Sequence, residues 1–319
     1  MSLAVRLRSL AKINLDLQVL NKRPDGFHNL RTIFQTVTLA DAIEIDYVPS
    51  RRLTVELTSN VEIEGNLIEK AAEALGIPGR FRIRLTKRIP MGGGLGGGSS
   101  NAAAMLLAIP ALTRKPVKLQ RLIEIGAQLG SDVPYFLLGG TALGLARGTD
   151  LVPLPDLPAY LGILVAPNIH VSTPSAYSDL NRAVSEAPAA DSRPLWELGW
   201  TPPGSWAFSN DFETVVFARE PRLKSIKAQL QKAGAGLALM SGSGSTVFGI
   251  FEHRAVRDPA VVSLRRKLGK DVGVFPVALV GRSRYRSLWR RQLRISDAGA
   301  SGAAREFLER TWPPQNRYE

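Results

Sequence analysis

Hydrophobic and polar residues alternate along the start of the chain. Between residues 4 and 20 the apolar side chains fall on one face of an extended segment and the polar side chains fall on the other. This period of two predicts one or two strands of a sheet with one covered face. Lys12 and Asn14 point to the same side, about 7 Å apart along the strand, whereas Arg6 and Gln18 are expected to face solvent.

The rest of the chain alternates between strand and helix patterns, which predicts an α/β protein. Pro24-Asp25-Gly26 is typical of a turn. Residues 183–207, with several prolines and tryptophans, are expected to form an insertion or a loop. The predicted strands lie at about 31–39, 42–48, 51–58, 81–89, 141–145, 159–166, on both sides of a turn within 238–251, and at 273–281. The predicted helices lie at about 66–76, 102–108, 119–129, 131–139, from residue 210 onward, and at 219–233.

Two of the predicted helices begin with polar residues that suit a cap. Asn66 can cap the first, since Glu69 stands where a capping box places an acid. Ser131 is a plausible N-cap of the other, which would put Asp132 in its first turn. The helix dipole alone favours an acid in that turn, so Asp132 has a structural interpretation beside a catalytic one.

A glycine-rich segment opens directly into a helix. Six glycines surround Leu95 between Pro90 and Asn101, and the run rich in alanine and leucine that follows is typical of a helix. Free N–H groups and the positive dipole at a helix N-terminus attract anions, and glycine lets an anion approach the backbone closely. We therefore predict a phosphate-binding loop. The alternative is a flexible linker, but linkers are usually followed by polar sequence.

This loop differs from two common phosphate-binding motifs. Gly92, Gly94 and Gly97 satisfy G-x-G-x-x-G, but the strand before them alternates apolar and basic residues, whereas dinucleotide-binding folds have a buried apolar strand there. No acidic residue follows about twenty positions on to hold a ribose, and no lysine follows the glycines as in a P-loop. A third arrangement is expected.

Composition limits the chemistry that the chain can perform. Among 319 residues there is no cysteine and there are only three histidines, which excludes disulfides and thiolate metal sites and disfavours a histidine-rich one. No apolar run approaches the roughly 18 residues of a membrane span, and the first residues lack the apolar core of a signal peptide. A cytoplasmic protein without a resident metal site or a membrane partner is expected.

The net charge of +13 suits an anionic small molecule or nucleic acid. Much of the excess lies near the C-terminus, where six arginines occupy residues 282–294. Tyr285 and Trp289 are interleaved with them, and such a pattern can bind single-stranded nucleic acid. A solvated or packed extension is the alternative, and no specific nucleic-acid partner is predicted.

Three segments together resemble the motifs of the GHMP small-molecule kinases: Ala11–Leu15, Pro90–Ala103 and Ser241–Ser245. The resemblance spans roughly residues 7–281. It implies a two-domain α/β (α+β) fold with mixed and antiparallel sheets, in which a ribosomal-S5-like domain and a ferredoxin-like domain hold ATP and substrate between them. The predicted units are an N-terminal ATP-binding domain at 1–157, a C-terminal domain at 158–281 and a basic extension at 282–319.

Within the family, Arg23–His28 and Gly130–Pro134 resemble the kinases that act on a cytidine diphosphate derivative. The resemblance implies ATP- and magnesium-dependent phosphorylation of the 2-hydroxyl, on a tertiary carbon, of the polyol that this derivative carries. It implies that Asp132 is the catalytic base or orients the hydroxyl, and that Lys12 is its charged partner. A hydroxyl is poorly acidic, so a carboxylate must accept its proton, and a lysine stabilises charge on the transferred phosphoryl group.

The same resemblance assigns the binding residues. Phe27 is expected to stack on the cytosine ring, His28 to hydrogen-bond its edge, and Tyr177 to cover its other face. The full set expected at the substrate is Asn14, Phe27, His28, Thr173, Tyr177, Gly242 and Ser243. The set expected at ATP is Asn66, Pro90, Gly92, Gly93, Gly94, Leu95, Gly96, Gly97, Gly98, Ser99 and Ser100.

The sequence departs from the family pattern at several positions, and two other functions stay open. Phe27 stands where a tyrosine is often found, and Ala146–Asp150 lacks the expected glycine–arginine–glycine–glutamate run. The chain could be another GHMP kinase, acting on mevalonate, homoserine or a sugar, or a nucleic-acid-binding protein. A monomer or a homodimer is expected.

Overall fold

The N-terminal domain is built on two long antiparallel strands, β1 (Leu3–Lys22) and β2 (His28–Val48). The computed structural model describes residues 3–184 and 201–293. The strands pair from end to end, from Leu3 opposite Tyr47 to Lys22 opposite His28. The two strands predicted at 31–39 and 42–48 are therefore one. The pairing of β1 and β2 shifts register next to Leu10, where no turn interrupts either strand. Such a β-bulge changes the direction in which side chains point without ending the strand.

The other strands complete a six-stranded mixed sheet in the order β3-β4-β2-β5-β6, with β1 on the remaining edge of β2. Strand β4 runs antiparallel to the C-terminal half of β2 and β5 to its N-terminal half, while β3 and β4 are parallel. The bounds are β3 (Leu53–Ser59), β4 (Gly79–Thr86), β5 (Thr141–Leu145) and β6 (Asp150–Pro153).

Helices cover one face of this sheet and enclose its core. They are α1 (Leu67–Leu75), α2 (Gly97–Thr113), α3 (Leu119–Leu129) and α4 (Val133–Leu138). Helix α2 is apolar on all sides, and every residue from Ser100 to Leu112 is buried, as expected of a helix in the centre of a core. It begins at Gly97 rather than at the predicted Ala102, because Gly96 adopts φ +67 and turns the chain into the helix at that point.

The C-terminal domain is a four-stranded antiparallel sheet in the order β10-β7-β9-β8, covered by four helices on one face. Its elements are β7 (Leu161–Pro167), α5 (Thr173–Val184), α6 (Phe212–Arg219), α7 (Pro221–Lys232), β8 (Leu237–Met240), β9 (Val247–Phe251), α8 (Arg254–Leu268) and β10 (Val272–Ala278). Sequence analysis missed α5 and α8. In α8 few apolar residues are buried among many charges, so the amphipathic signal is weak.

The two sheets pack against each other through their remaining faces. Ile13 and Leu15 of β1 meet Leu164 and Phe248 of the C-terminal sheet in a shared apolar cluster. A backbone hydrogen bond of 2.9 Å from Val280 N to Thr36 O also joins the domains. The predicted two-domain fold with mixed and antiparallel sheets is thus the one observed.

This contact corrects the prediction for the polar face of β1. Arg6 is exposed as expected, but Gln18 is only 4 % exposed and accepts a hydrogen bond of 3.1 Å from Arg31. The second half of β1 lies beside a loop of the C-terminal domain, where the backbone N–H of Leu17 donates to Ser209 O at 2.8 Å. Alternation along one strand cannot reveal a neighbour that is distant in sequence, so the polar face was taken for a solvated one.

The last described helix, α9 (Arg282–Gln292), returns to the N-terminal domain. Tyr285 and Trp289 are fully buried in the core of that domain, and the Tyr285 hydroxyl donates to Phe136 O at 2.5 Å. The predicted extension therefore begins with a packed helix, and these two rings are inaccessible to nucleic-acid bases. Residues 294–319 of the predicted extension and residues 185–200 of the predicted insertion lie outside the described residues. Within the described ranges, no helix combines the length and the apolar character that crossing a membrane requires.

Candidate active site

A cavity of about 740 Å³ opens between the two domains. Strands β1 and β2, the glycine-rich loop and the start of α4 form one wall, while α5 and the turn between β8 and β9 form the other. Of the residues predicted to bind or react, those that line it are Lys12, Asn14, Phe27, His28, Gly94, Gly96, Ser99, Asp132, Thr173, Tyr177, Gly242 and Ser243. The remaining predicted residues, Asn66, Pro90, Gly92, Gly93, Leu95, Gly97, Gly98 and Ser100, are outside the cavity lining.

Lys12 and Asp132 form an ion pair at the cavity wall. The Lys12 ammonium lies 3.3 Å from Asp132 Oδ2 and donates to Asn14 Oδ1 at 2.7 Å. The Asn14 amide in turn donates to Thr32 Oγ1 at 2.8 Å. The side chain of Lys12 is 4 % exposed and that of Asp132 is 30 % exposed. A buried cation is thus held by two partners, and the carboxylate beside it stays open to the cavity.

The local backbone leaves Asp132 available for this pair. Helix α4 begins at Val133 and Asp132 occupies its N-cap position, so the prediction of Ser131 as the cap is wrong. The Asp132 side chain makes no capping hydrogen bond. The chain is extended at Gly130, which ends α3, and the short connection puts Asp132 at the cavity wall rather than over the helix end.

The glycine-rich loop packs against the turn between β8 and β9. Gly94 has φ +74, and a Cβ there would lie 2.0 Å from Ser241 O. The Ser241 hydroxyl donates to Gly94 O at 2.9 Å, and Thr246 N donates to Gly93 O at 3.3 Å. Two small-residue segments about 150 positions apart therefore meet, and only glycine fits the closest contact.

The glycine loop is also hydrogen-bonded to the strand that carries Lys12. The backbone N–H of Lys12 donates to Leu95 O at 3.0 Å. Ser100 is fully buried in the first turn of α2, and its hydroxyl donates to Leu10 O at 2.7 Å.

Asn66 caps α1 as predicted, with Oδ1 accepting from Ile68 N at 3.1 Å.

A buried carboxylate beneath the glycine loop was not predicted from the sequence. Asp41 is fully buried and accepts hydrogen bonds from Arg88 N at 2.7 Å, Ile89 N at 2.8 Å, Lys87 Nζ at 2.5 Å and Asn101 Nδ2 at 3.1 Å. It joins the segment before the glycines to the helix after them. The available signal was a lone acid between two alanines in a strand pattern, which does not distinguish a buried network from a solvated edge.

Aromatic rings line the end of the cavity nearest the turn between β1 and β2. The rings of His28 and Tyr177 stack with centroids 5.0 Å apart, and Tyr177 meets Phe212 edge-on. Phe27 is 49 % exposed, and the guanidinium carbon of Arg147 lies 3.6 Å from its ring centroid. Burial, and to a lesser extent the charge of Asp132, raises the pKa of the Tyr177 hydroxyl to about 12, so this group is a neutral donor near pH 7.

Comparison with known proteins shows which family the sequence resembles. The sequence matches the GHMP kinases N terminal domain over residues 66–140 and the GHMP kinases C terminal domain over residues 200–270. A 4-diphosphocytidyl-2-C-methyl-D-erythritol kinase of Solibacter usitatus is 49 % identical over 321 residues, covering 98 % of this chain and 97 % of the relative. Its namesake from Citrifermentans bemidjiense is 38 % identical over 275 residues, covering 83 % and 96 %.

Solved structures agree with these relatives. A crystal structure of 4-(cytidine 5'-diphospho)-2C-methyl-D-erythritol kinase superposes with a TM-score of 0.73 at 36 % identity, covering 86 % of this chain and 99 % of that one. A homoserine kinase from Cytophaga hutchinsonii superposes with a TM-score of 0.59 at 20 % identity, covering 88 % and 96 %. The second likeness shows a common fold alone.

Proposed function

The chain belongs to the family of 4-diphosphocytidyl-2-C-methyl-D-erythritol kinases, within the GHMP kinases, and we propose that it phosphorylates that compound. It is a small-molecule kinase by family. The reaction transfers the γ-phosphoryl group of ATP to the 2-hydroxyl, a step of the non-mevalonate route to isoprenoid precursors. The observation that supports this most directly is the Lys12–Asp132 pair, which stands in one cavity with the predicted base-binding rings.

In the proposed reaction Asp132 accepts the proton of the 2-hydroxyl. As the O–H bond breaks, the hydroxyl oxygen forms a bond to the γ-phosphorus, and the bond from that phosphorus to the bridging oxygen of ADP breaks. The exposed side of the Asp132 carboxylate faces the cavity, which suits a base that must reach a bound hydroxyl. Lys12, fixed by Asn14, supplies positive charge beside the transferred group.

The glycine loop and the start of α2 are proposed to hold the phosphates of ATP. The unpaired N–H groups of the first helical turn and the positive end of the helix dipole suit an anion. Gly96 at the N-cap has no side chain to block the approach. Phosphoryl transfer depends chiefly on alignment and charge neutralisation, and the bond from Lys12 N to Leu95 O couples this loop to the reacting pair.

Magnesium fits the site as a companion of ATP. Within the described ranges no group of three or more histidines, cysteines and carboxylates is placed to hold a metal ion. Of the described residues that line the cavity, Asp132 is the one carboxylate, and Ser99 adds a hydroxyl nearby. Kinase sites hold Mg²⁺ through one or two carboxylates together with the substrate phosphates, so this sparse donor set suits an ion that supplies charge neutralisation when it arrives with ATP.

The cytidine end of the substrate is proposed to bind at Phe27, His28 and Tyr177. An aromatic ring beside a hydrogen-bonding side chain suits a base, because stacking and edge recognition act together. The turn before Phe27 is firmly held, since Arg23 N donates to Phe27 O at 2.7 Å and Phe27 N donates to Asp25 Oδ1 at 3.2 Å. A cytoplasmic location and a monomeric or dimeric state stay predictions.

Substrate choice is tested by coupled ATP turnover. The purified chain is assayed with 4-diphosphocytidyl-2-C-methyl-D-erythritol and, in parallel, with mevalonate, galactose and homoserine. We expect turnover with the cytidyl compound alone. Activity on one of the other three without activity on the cytidyl compound would leave the phosphate-binding loop in place and refute the assignment of the base-binding residues.

A further inference from the structure

Arg147 lines the same cavity and has no place in the scheme above. Its guanidinium lies over the Phe27 ring. Its Nε is buried without a hydrogen-bond partner, and none of the described residues forms an ion pair with the side chain. A guanidinium offers five N–H donors in a planar fork. Here one face of the guanidinium is supported by an aromatic ring, and because the residue lines the cavity its terminal N–H groups can reach a ligand.

The backbone holds this residue in place by an unusual turn. Ala146 has φ +55, a left-handed conformation that a residue with a Cβ rarely adopts. Its carbonyl accepts a hydrogen bond of 2.6 Å from Leu30 N, and Gly148 N closes the turn onto Leu145 O at 2.8 Å. The turn between β5 and β6 is thereby hydrogen-bonded to the start of β2, at Leu30.

The hydrogen bond from Leu30 to Ala146 lies between two functional parts of the cavity along β2. His28, at the proposed base end, lies two residues before Leu30, and Thr32, which is linked through Asn14 to Lys12, lies two residues after it. Each interval is about 7 Å along a strand. The turn that carries Arg147 therefore joins β2 halfway between the aromatic end of the cavity and the reacting pair. In a cytidine diphosphate derivative, the diphosphate lies between the base and the polyol.

Asp25 is an acidic residue whose charge interacts with that of Arg147, but its carboxylate is already hydrogen-bonded to another arginine. It accepts from Arg23 Nε at 3.1 and 3.2 Å and from Phe27 N. Desolvation acts to raise the pKa of the Asp25 carboxyl. The hydrogen bonds from Phe27 N and Arg23, with the charges of Arg23 and Arg147, outweigh it, and the pKa is lowered.

We propose that Arg147 is a specificity-determining residue that binds the diphosphate group of the substrate from its support on the Phe27 ring. Arginine suits this role because its planar donors match phosphate oxygens, whereas a lysine acts as a point charge. The inference rests on the proposed function, since it presupposes a substrate that carries a diphosphate beside a base.

The test compares ligands that differ only in their phosphates. Affinities for cytidine, CMP and CDP are measured by titration calorimetry for the wild type, Arg147→Gln and Arg147→Lys. Arg147→Gln keeps a flat group over Phe27 but removes the charge, and we expect it to lose about tenfold or more in CDP affinity while its cytidine affinity is unchanged. Arg147→Lys should fall between the two. The loss should shrink at high salt, because screening weakens a charge contact.

Two controls separate this role from a structural one. Arg121→Gln removes one exposed positive charge from α3, outside the cavity lining, and should leave all three affinities unchanged. ATP affinity reports whether each variant is folded; if Arg147→Gln fails that check, Arg147→Lys provides the comparison.

An equal loss for cytidine and CDP in a folded variant would mean that Arg147 acts only by supporting Phe27, and would overturn the proposal. Unchanged CDP affinity would overturn it as well. Failure of the proposed function is seen in the wild type instead, as an absence of CDP binding together with turnover of a different substrate, and it would remove this inference with it.

Discussion

At the scale of single residues, the proposed chemistry depends on a buried ammonium beside a partly open carboxylate. An isolated buried cation would be unstable, and Lys12 is tolerated because Asp132 and Asn14 both contact it. The arrangement keeps positive charge fixed next to the position where a phosphoryl group would pass. It also leaves one side of Asp132 free for a substrate.

The role of Asp132 predicts a variant that binds ATP but does not turn over. Asp132→Asn preserves the size of the side chain and removes the proton acceptor, so kcat should fall by about 10²–10⁴-fold. ATP affinity, measured by calorimetry, should change little, because the proposed phosphate-binding groups lie on the glycine loop. Normal turnover by this variant would rule out Asp132 as the base.

Lys12 is expected to act mainly on the chemical step. Lys12→Met keeps much of the buried volume and removes the charge, and the steady-state kcat should fall by about 10²-fold or more. Lys22→Met is the matched control, since Lys22 also lines the cavity but lies outside the ion pair. A change confined to the KM of the polyol substrate would contradict the catalytic role.

At the scale of elements, two glycine-containing segments from different domains hold each other in place. The closest approach is at Gly94, where the backbone of Ser241 leaves no room for a side chain. The glycine loop is anchored from beneath by Asp41, which binds the segment before it and the helix after it. The shape of the loop is therefore determined by its neighbours as much as by its own flexible sequence.

This packing predicts opposite outcomes for two glycine substitutions in one loop. Gly94→Ala places a Cβ 2.0 Å from Ser241 O at a positive φ, so the two segments must separate. We expect ATP affinity and turnover to fall about tenfold or more and the melting temperature to drop. Backbone strain of about 1–3 kcal/mol would produce effects of this size. Gly98→Ala meets only Leu67 at 3.6 Å within α2 and should leave the melting temperature unchanged. Equal effects of both substitutions in thermal melts would refute the contact as the cause.

At the scale of the whole molecule, the C-terminal end of the described chain completes the N-terminal core. After β10 the chain crosses back, and α9 buries Tyr285 and Trp289 against helices of the first domain. The two domains are joined through the apolar contact of their sheets, through the loop beside β1, through the glycine loop against the turn between β8 and β9, and through α9. A cavity between domains so connected has walls with a defined spacing.

The burial of α9 predicts a large effect on stability from a residue remote from the cavity lining. Trp289→Ala should lower the free energy of unfolding by about 3–5 kcal/mol, because it removes a fully buried ring from the core. Arg284→Ala, on the exposed side of the same helix, should change it by less than about 0.5 kcal/mol. Urea unfolding of both variants provides the measurement. A small effect of Trp289→Ala would mean that α9 does not contribute to the core.

Local patterns were sufficient where the cause of a structure lies in neighbouring residues. Strand β1, the Asn66 cap of α1 and the helix that follows the glycine run all depend on short-range geometry. All three were predicted correctly from the sequence. The predictions of solvent exposure for Gln18 and of an N-cap at Ser131 were wrong. In the first case the side chain is buried where β1 lies beside a loop that is distant in sequence, and in the second the helix begins one residue later, after the short connection that follows Gly130.

The sequence by itself determined the family, the two-domain α/β fold and the kinds of residue that the chemistry needs. Only the tertiary structure decided which of those residues meet: that Lys12 contacts Asp132, that Ser241 closes on Gly94, and that Arg147 lies over Phe27. The physical reason is that periodicity, capping and turn propensity are local properties of the backbone. Contacts between residues far apart in sequence depend instead on how complete sheets and helices pack, and that packing is specified jointly by apolar surfaces spread along the whole chain.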